Sequence, residues 1–307
     1  MADEILYAGI ADQTTAETLS AELLLLNADR NALPNHPAIL YCGDVTGKGS
    51  RVLKVPHLGL LGYNVMTAAT EGTDQANTPL TDGSSTLSVS QYTKVYEASD
   101  IARMVDANGM LNGQAFALDA IVSAMATLRT LIADIVDGFT AIVGSTGVDA
   151  TIANYLDLIT TLEIAKVLGP FMFIGHPVQW GDIRKDAGLN SGGAIQWNAG
   201  SQDLLDRMKG LGYQGEYLGI ANFTTTDVPT ANSSADRAGG MFGAGGVLWA
   251  DGTIPGENNA TQLFLDQKVL FEVDRNARGN KTAYVGHRML AASKGIDACG
   301  VSLITDA

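Results

Sequence analysis

An apolar stripe in the middle of the chain constrains the fold more than any other feature. Its large apolar residues recur at alternating spacings of three and four: Leu118, Ile121, Met125, Leu128, Ile132, Ile135 and Phe139. This spacing predicts one α-helix from Asn112 to Phe139, about 40 Å long at 1.5 Å per residue. Further apolar residues widen the stripe beyond a coiled-coil seam, namely Phe116, Val122, Leu131 and Val136. We therefore expect the helix to pack against a sheet or a second helix.

A long hairpin is expected before this helix. Residues 51–56 and 86–96 both alternate apolar with polar side chains, as half-exposed antiparallel strands do. Between them, residues 62–85 are rich in Gly, Thr, Asn, Asp and Ser and have few large apolar residues. The pattern predicts two strands joined by a polar tip. Spacing alone leaves two arrangements open, an arm that projects from the body and a hairpin folded back on the core.

The remaining segments predict mixed α and β structure. Helices are expected at residues 15–29, 152–162, 177–186 and 203–209, and strands at 171–174 and 216–220. Residues 150–262 therefore form a mixed α/β region, in which residues 188–200 and 222–246 are expected to be solvent-facing loops. Residues 268–304 alternate around a turn-rich segment at 275–280, which predicts a closing sheet.

Composition narrows the function classes. The chain has 19 Lys plus Arg against 33 Asp plus Glu, a formal net charge of −14. Such an acidic chain lacks the attraction that supplies most non-specific nucleic-acid affinity. Only 17% of its residues are charged, which favours a surface covered by neighbouring copies. The N-terminus has no signal-peptide pattern and no apolar stretch approaches the roughly 20 residues of a membrane span, so we expect synthesis in a cytoplasm.

No motif indicates catalysis or a cofactor. Gly47-Lys48 resembles part of a phosphate-binding loop, but Cys42 stands where the first Gly belongs and Gly49 where the hydroxyl belongs. The Gly239–Gly246 cluster fits no dinucleotide-binding pattern, and the four histidines lack metal-ligand spacing. Cys42 and Cys299 suggest neither a disulfide framework nor a zinc site. We expect no catalytic residues, no cofactor and no metal.

The order of these segments, and two local motifs, resemble the major capsid proteins of tailed bacteriophages. The first motif is Phe173-Ile174-Gly175-His176-Pro177-Val178-Gln179-Trp180-Gly181-Asp182-Ile183-Arg184, and the second runs from Lys268 to Asp306. This resemblance implies an α+β, Hong Kong 97-type capsid fold. It divides the chain into an N-terminal arm with a short helix (1–50), an extended E-loop hairpin (51–96), a peripheral domain with a long spine helix (97–148), an α/β axial domain (149–262) and returning peripheral-domain strands (263–307).

The same resemblance implies a non-enzymatic function. The chain would be a major capsid protein that self-assembles into an icosahedral shell of hexamers and pentamers, enclosing double-stranded DNA without sequence-specific binding and without a membrane. Candidate further partners are scaffolding, portal and decoration proteins, and the location would be the virion after synthesis in the host cytoplasm. Assembly contacts are then expected on the hairpin, at Arg51, Lys54 and Lys94, and around the C-terminal turn, at Glu272, Asp274, Arg275 and Arg278.

Two alternatives stay open at this stage. The first is a cellular, encapsulin-like nanocompartment shell with the same fold, which would enclose enzymes instead of DNA. The second is an α/β enzyme with a long dimerisation arm, which would require a clustered polar site within residues 150–262.

Overall fold

The structure is a computed structural model that describes residues 33–34, 36–57, 71, 83–105, 114–190, 212–254, 260–263 and 268–306. These residues form a mixed α+β fold, as expected from the sequence, and it contains two large sheets. The predicted helices at 15–29 and 203–209 lie outside the described residues. Nearly all of the predicted hairpin tip and of the loop at 188–200 lies outside them as well.

The first sheet has six strands: β1 (Ile39–Asp44), β4 (Ser90–Ser99), β11 (Val247–Gly252), β12 (Ala260–Leu263), β13 (Val269–Asn276) and β14 (Lys281–Lys294). The path runs β1-β11-β14-β13-β12, and β4 also pairs with β14. The long β14 is the centre of this sheet. Its first half lies between β13 and β4, and its second half pairs with β11, in each case antiparallel.

The second sheet has seven strands: β5 (Ile142–Asp149), β6 (Met172–Gly175), β7 (Tyr213–Tyr217), β8 (Ile220–Thr224), β9 (Thr230–Ala231), β10 (Asp236–Phe242) and β15 (Gly300–Asp306). Their order is β5-β15-β10-β6-β8-β7, with β9 on β10. A separate two-stranded hairpin is formed by β2 (Val52–His57) and β3 (Gly83–Ser88).

The helices are α1 (Asp100–Val105), α2 (Gln114–Ile135), α3 (Ile152–Ile164) and α4 (Pro177–Asn190). The predicted long helix is α2, which continues as a 3-10 turn at Val136–Gly138. Near its start, Phe116 stacks on Tyr96 and Tyr284 of the first sheet. Towards its end, Leu128 and Ile132 enter a core cluster with residues of both sheets. The apolar stripe thus joins the two sheets.

The same helix contradicts the expectation that no apolar stretch approaches the length of a membrane span. The segment Ala115–Gly138 is 24 residues long and is apolar enough to cross a membrane by length and composition alone. In this fold one face of it, including Ala120, Leu128 and Ile132, is buried against the sheets. Those residues belong to the core of the folded chain.

The motif at 173–184 folds as the sequence predicts. Met172–Gly175 is a fully buried strand, and Pro177 begins α4, where a missing N–H costs no helical hydrogen bond. On α4, Trp180 and Ile183 are buried, and the Trp180 ring packs 5.8 Å from that of Phe173. With α3, these side chains fill the second core cluster.

The expectation of a solvent-facing loop over residues 222–246 is wrong. This segment contains the end of β8, the short β9 and the central, largely buried strand β10. A Cβ on Gly240 would lie 2.4 Å from the carbonyl oxygen of Val301 and 2.6 Å from Cγ1 of Val136. The glycines therefore permit close packing of strand and helix.

Candidate assembly surfaces

The base of the hairpin is attached to the body. Strands β2 and β3 pair in antiparallel register from Val52 with Ser88 to His57 with Gly83. Leu87 and the following Val89 are buried in a cluster with residues of β11 and β14. The predicted second leg, residues 86–96, is thus two strands, since the chain leaves β3 at Val89 and enters the first sheet as β4. Both arrangements left open have an attached base, and the choice between them depends on residues 58–82, nearly all of which lie outside the described residues.

Two predicted contact residues of the hairpin are exposed. Lys54 lies on the outer face of β2, opposite Thr86, and Arg51 immediately precedes the strand. Within the described part of the chain, neither side chain has an ion-pair partner. Both cations are therefore available to an acidic group from outside the described residues.

The third hairpin residue, Lys94, is already paired. Its Nζ lies 2.6 Å from Asp119 Oδ2 and donates to Ser123 Oγ, also at 2.6 Å. Tyr96 donates to the same Asp119 carboxylate. These contacts connect β4 to the first half of α2. A contact of Lys94 with another copy remains a prediction, and it would compete with this internal pair.

The four residues of the C-terminal turn have different surroundings. Arg275 donates to Asp100 Oδ2 at 2.6 Å and to two backbone carbonyls of the turn, so it connects β13 to α1. Glu272 lies 3.6 Å from His287 Nε2. Asp274 and Arg278 are exposed and have no ion-pair partner among the described residues. The unpaired charges of this turn are thus Asp274 and Arg278.

Beside this turn is an exposed apolar patch that the sequence analysis missed. Ile101 and Met104 on α1 are 66% and 80% exposed, and Val105 and the nearby Val273 are about half as exposed as Met104. Ala102 on the opposite side of α1 is fully buried. Six residues are too few for a periodic signal, but Ile101, Met104 and Val105 fall on one helical face, which could have indicated the patch.

The buried polar groups of the second sheet hold its strands and helices together. Tyr155 on α3 donates to Asn222 Oδ1 at 2.8 Å, and Asn222 in turn donates to the carbonyls of Gly215 and Ile220. Burial raises the pKa of Tyr155, which keeps its hydroxyl protonated as the donor. Gln179 on α4 donates to the Arg237 carbonyl and to Thr305. Among the described residues, no group of three or more His, Cys, Asp or Glu is arranged to hold a metal ion.

Comparison with solved structures identifies the fold. A capsid structure of the cyanophage P-SCSP1u superposes with a TM-score of 0.60 at 10% sequence identity, covering 90% of this chain and 89% of that one. The capsid of Ralstonia phage GP4 gives 0.60 at 12% identity, covering 91% and 90%. This chain has the fold of tailed-phage capsid proteins.

An encapsulin structure shares this capsid fold. The SrpI encapsulin complex of Synechococcus elongatus PCC 7942 superposes with a TM-score of 0.58 at 11% identity, covering 100% of this chain and 97% of that one. No protein-family model matches the chain, and no curated protein matches its sequence. The capsid fold is therefore apparent from the three-dimensional arrangement and not from sequence identity.

Proposed function

We propose that this chain is the major capsid protein of a tailed bacteriophage, a non-enzymatic subunit that assembles into an icosahedral shell of hexamers and pentamers around double-stranded DNA. The observation that carries this proposal is the extent of the structural match, which covers about nine tenths of this chain and of the phage capsid chains alike. The likeness therefore extends over the whole subunit and is not confined to one shared domain.

In this proposal each part of the chain has a role in the shell. Residues 1–50 are the N-terminal arm, 51–96 the E-loop, 97–148 the peripheral domain with α2 as spine helix, 149–262 the axial domain and 263–307 the returning strands. The two sheets refine these limits. Strand β11 lies before residue 262 but belongs to the first sheet, and β15 lies after residue 262 but belongs to the second sheet. We therefore assign the first sheet to the peripheral domain and the second to the axial domain.

The exposed groups beside the C-terminal turn are the proposed contact surface between subunits. Met104 and Ile101 would leave water on contact with another copy, and full burial of such a side chain contributes roughly 1.5–3 kcal/mol. Asp274 and Arg278 have opposite charges, so Asp274 of each copy can pair with Arg278 of the other. On the hairpin, Arg51 and Lys54 would pair with acidic groups of a neighbour.

Net charge supports an enclosing role. A shell subunit with a net charge of −14 has no excess of cations with which to hold packaged DNA. Low affinity for the phosphate backbone lets the polymer enter and leave without strong contacts to the wall. The location that follows is the virion, after synthesis in the host cytoplasm.

The encapsulin match supports a second candidate, a nanocompartment shell that would enclose enzymes. The two candidates share the fold and differ in content. Particles purified from the native source would contain nuclease-protected DNA in the first case and a co-purifying protein cargo in the second. Gene neighbours give an independent test, since terminase and portal genes favour the phage.

Size-exclusion chromatography of the purified full-length chain tests the shared part of both proposals. A shell subunit elutes as capsomers or as particles in the void volume. A chain that elutes as a monomer or dimer under every buffer condition would contradict a shell function.

A further inference from the structure

A cleft of about 180 Å³ lies between α2 and the first sheet. At Ala120 the helix lies close to β14, because Gly286 beneath it has no side chain; an added Cβ on Gly286 would lie 2.6 Å from the Cβ of Ala120. Further along α2, about one and two turns beyond Ala120, Ser123 and Thr127 line the cleft with small polar side chains. Since one water needs about 10–15 Å³ of such space, the cleft has room for several waters or a small ion.

Arg288 gives this cleft a positive charge. The residue is only 6% exposed, lines the cleft, and its Nε has no hydrogen-bond partner within the described residues. Burial lowers the pKa of the Arg288 guanidinium, but arginine remains protonated in proteins. A buried charge without a hydrogen-bonding counter-ion is unfavourable. The cleft therefore holds a cation that donates no hydrogen bond to an anionic group of the described residues.

The carboxylate that attracts Arg288 most strongly is Asp251, and it is already neutralised. Both of its oxygens accept hydrogen bonds from Lys268 Nζ at 2.7 Å, and Oδ1 also accepts from Tyr41 at 2.6 Å. Burial disfavours the charge of Lys268, but its bonds to Asp251 and Tyr41 outweigh burial and raise the pKa of Lys268. Lys268 also lies 3.6 Å from Asp44 Oδ2, so Asp44 and Asp251 share this cation, and among the described residues neither carboxylate accepts a hydrogen bond from Arg288.

Of the other acidic groups around the cleft, Asp119 pairs with Lys94 at 2.6 Å, and Glu272 lies 3.6 Å from the His287 ring. Lys94 also donates to Ser123 Oγ, so the hydroxyl hydrogen of Ser123 is available to another acceptor. Lys94 is about half exposed at the mouth of the cleft, and Asp119 compensates its charge.

We propose that this cleft binds a small oxyanion, a phosphate or a carboxylate group, with the guanidinium of Arg288 as its principal ligand. The hydroxyl of Ser123 donates a further hydrogen bond. Free phosphate and an acidic side chain of a second copy carry the same chemistry. The cleft is formed by one chain, so binding of a free anion requires no assembly and does not rest on the proposed function.

Titration of the unassembled full-length chain with inorganic phosphate, at constant ionic strength with chloride as the reference, tests this proposal. We expect saturable binding and a rise in Tm. Arg288→Met keeps the apolar stem and removes the charge, and it should weaken phosphate binding by at least about tenfold, because charge-assisted hydrogen bonds are lost. Arg278→Met removes the same charge from the exposed turn and should leave binding unchanged.

A second variant covers the case in which Arg288→Met fails to fold. Thr127→Leu fills the cleft and leaves every charge in place, so it should also abolish the phosphate effect. Equal phosphate binding by the wild type, Arg288→Met and Thr127→Leu would overturn the proposal.

Assembled particles distinguish the two sources of the oxyanion, and this arm alone rests on the proposed function. If phosphate also binds to particles, a free anion is the ligand. If phosphate binds only the unassembled chain, and cryo-EM density shows an acidic side chain at Arg288, a second copy supplies the group. Absence of saturable phosphate binding to the unassembled chain, together with no density beside Arg288 in particles, would contradict the oxyanion site.

Discussion

At Gly240, in the centre of the second sheet, the surrounding backbone leaves no room for a side chain. We expect Gly240→Ala to destabilise the subunit by about 1–3 kcal/mol or more, because its Cβ would overlap the Val301 carbonyl and Val136. Gly181→Ala is the matched control. It lies in α4 with no atom within 4 Å of an added Cβ, and it should stabilise the helix by about 0.5–1 kcal/mol. Denaturant unfolding of both variants measures the difference, and equal effects would contradict the packing described for β10.

A single buried histidine predicts part of the pH dependence of stability. His36 is 7% exposed, accepts a hydrogen bond from the Ala38 N–H, and lies against Phe223. Burial lowers the pKa of His36 from 6.5 to about 4. Between these values the unfolded chain binds a proton that the folded chain does not, so stability is complete above pH 6.5 and falls as the pH drops towards 4.

The difference of 2.5 pH units corresponds to roughly 3 kcal/mol at 1.36 kcal/mol per unit. His36→Asn keeps an acceptor for the Ala38 N–H and removes the titration. Unfolding measured from pH 7 to pH 4 should therefore show a steeper loss for the wild type than for His36→Asn. Parallel curves would show that His36 titrates normally in the folded state.

Among the elements, we expect the hairpin tip to be needed for assembly and not for folding of the subunit. Replacing residues 58–82 by Asn-Gly connects His57 to Gly83 through a two-residue turn suited to paired antiparallel strands. The anchors Leu87 and Val89 are kept, so we expect an unchanged circular dichroism spectrum and cooperative unfolding. Under the proposed function the shortened chain should no longer form particles in size-exclusion chromatography. Global unfolding would show that residues 58–82 belong to the core.

The short helix α1 gives a second test of assembly. Met104→Asp places a charge in the exposed patch beside the C-terminal turn and should weaken particle formation, because the charge would have to be desolvated at the contact. Stability of the isolated subunit should change by less than about 0.5 kcal/mol, as is usual for surface positions. Met104→Leu keeps the apolar surface and should assemble normally. If Met104→Asp assembles at the same protein concentration as the wild type, α1 does not belong to the contact surface.

These elements also show how far the sequence determines the fold. Helix α2 is predictable because its stripe spans six helical turns, and β6 with α4 because an apolar run is followed by Pro177 at a helix start. Strand β10 is not predictable from periodicity, because glycines that serve close packing resemble a flexible loop. The pair of Lys94 with Asp119 depends on how β4 and α2 meet across the sheet, and no local pattern encodes that contact.

At the scale of the whole molecule, assembly into a shell would explain both the acidic net charge and the low fraction of charged residues. The chain has only 17% charged residues, a net charge of −14 and an exposed apolar patch on α1, and its fold is that of phage capsid subunits. Under the proposed function, contacts between copies would cover this surface, and the acidic balance would disfavour tight binding of the enclosed DNA.

Electron microscopy of the purified full-length chain tests the central claim most directly. We predict closed particles of uniform diameter with icosahedral symmetry, whose walls accommodate the subunit with α1 and the C-terminal turn at contacts between copies. A homogeneous population of monomers or dimers, with no closed particles under any assembly condition, would contradict the shell function.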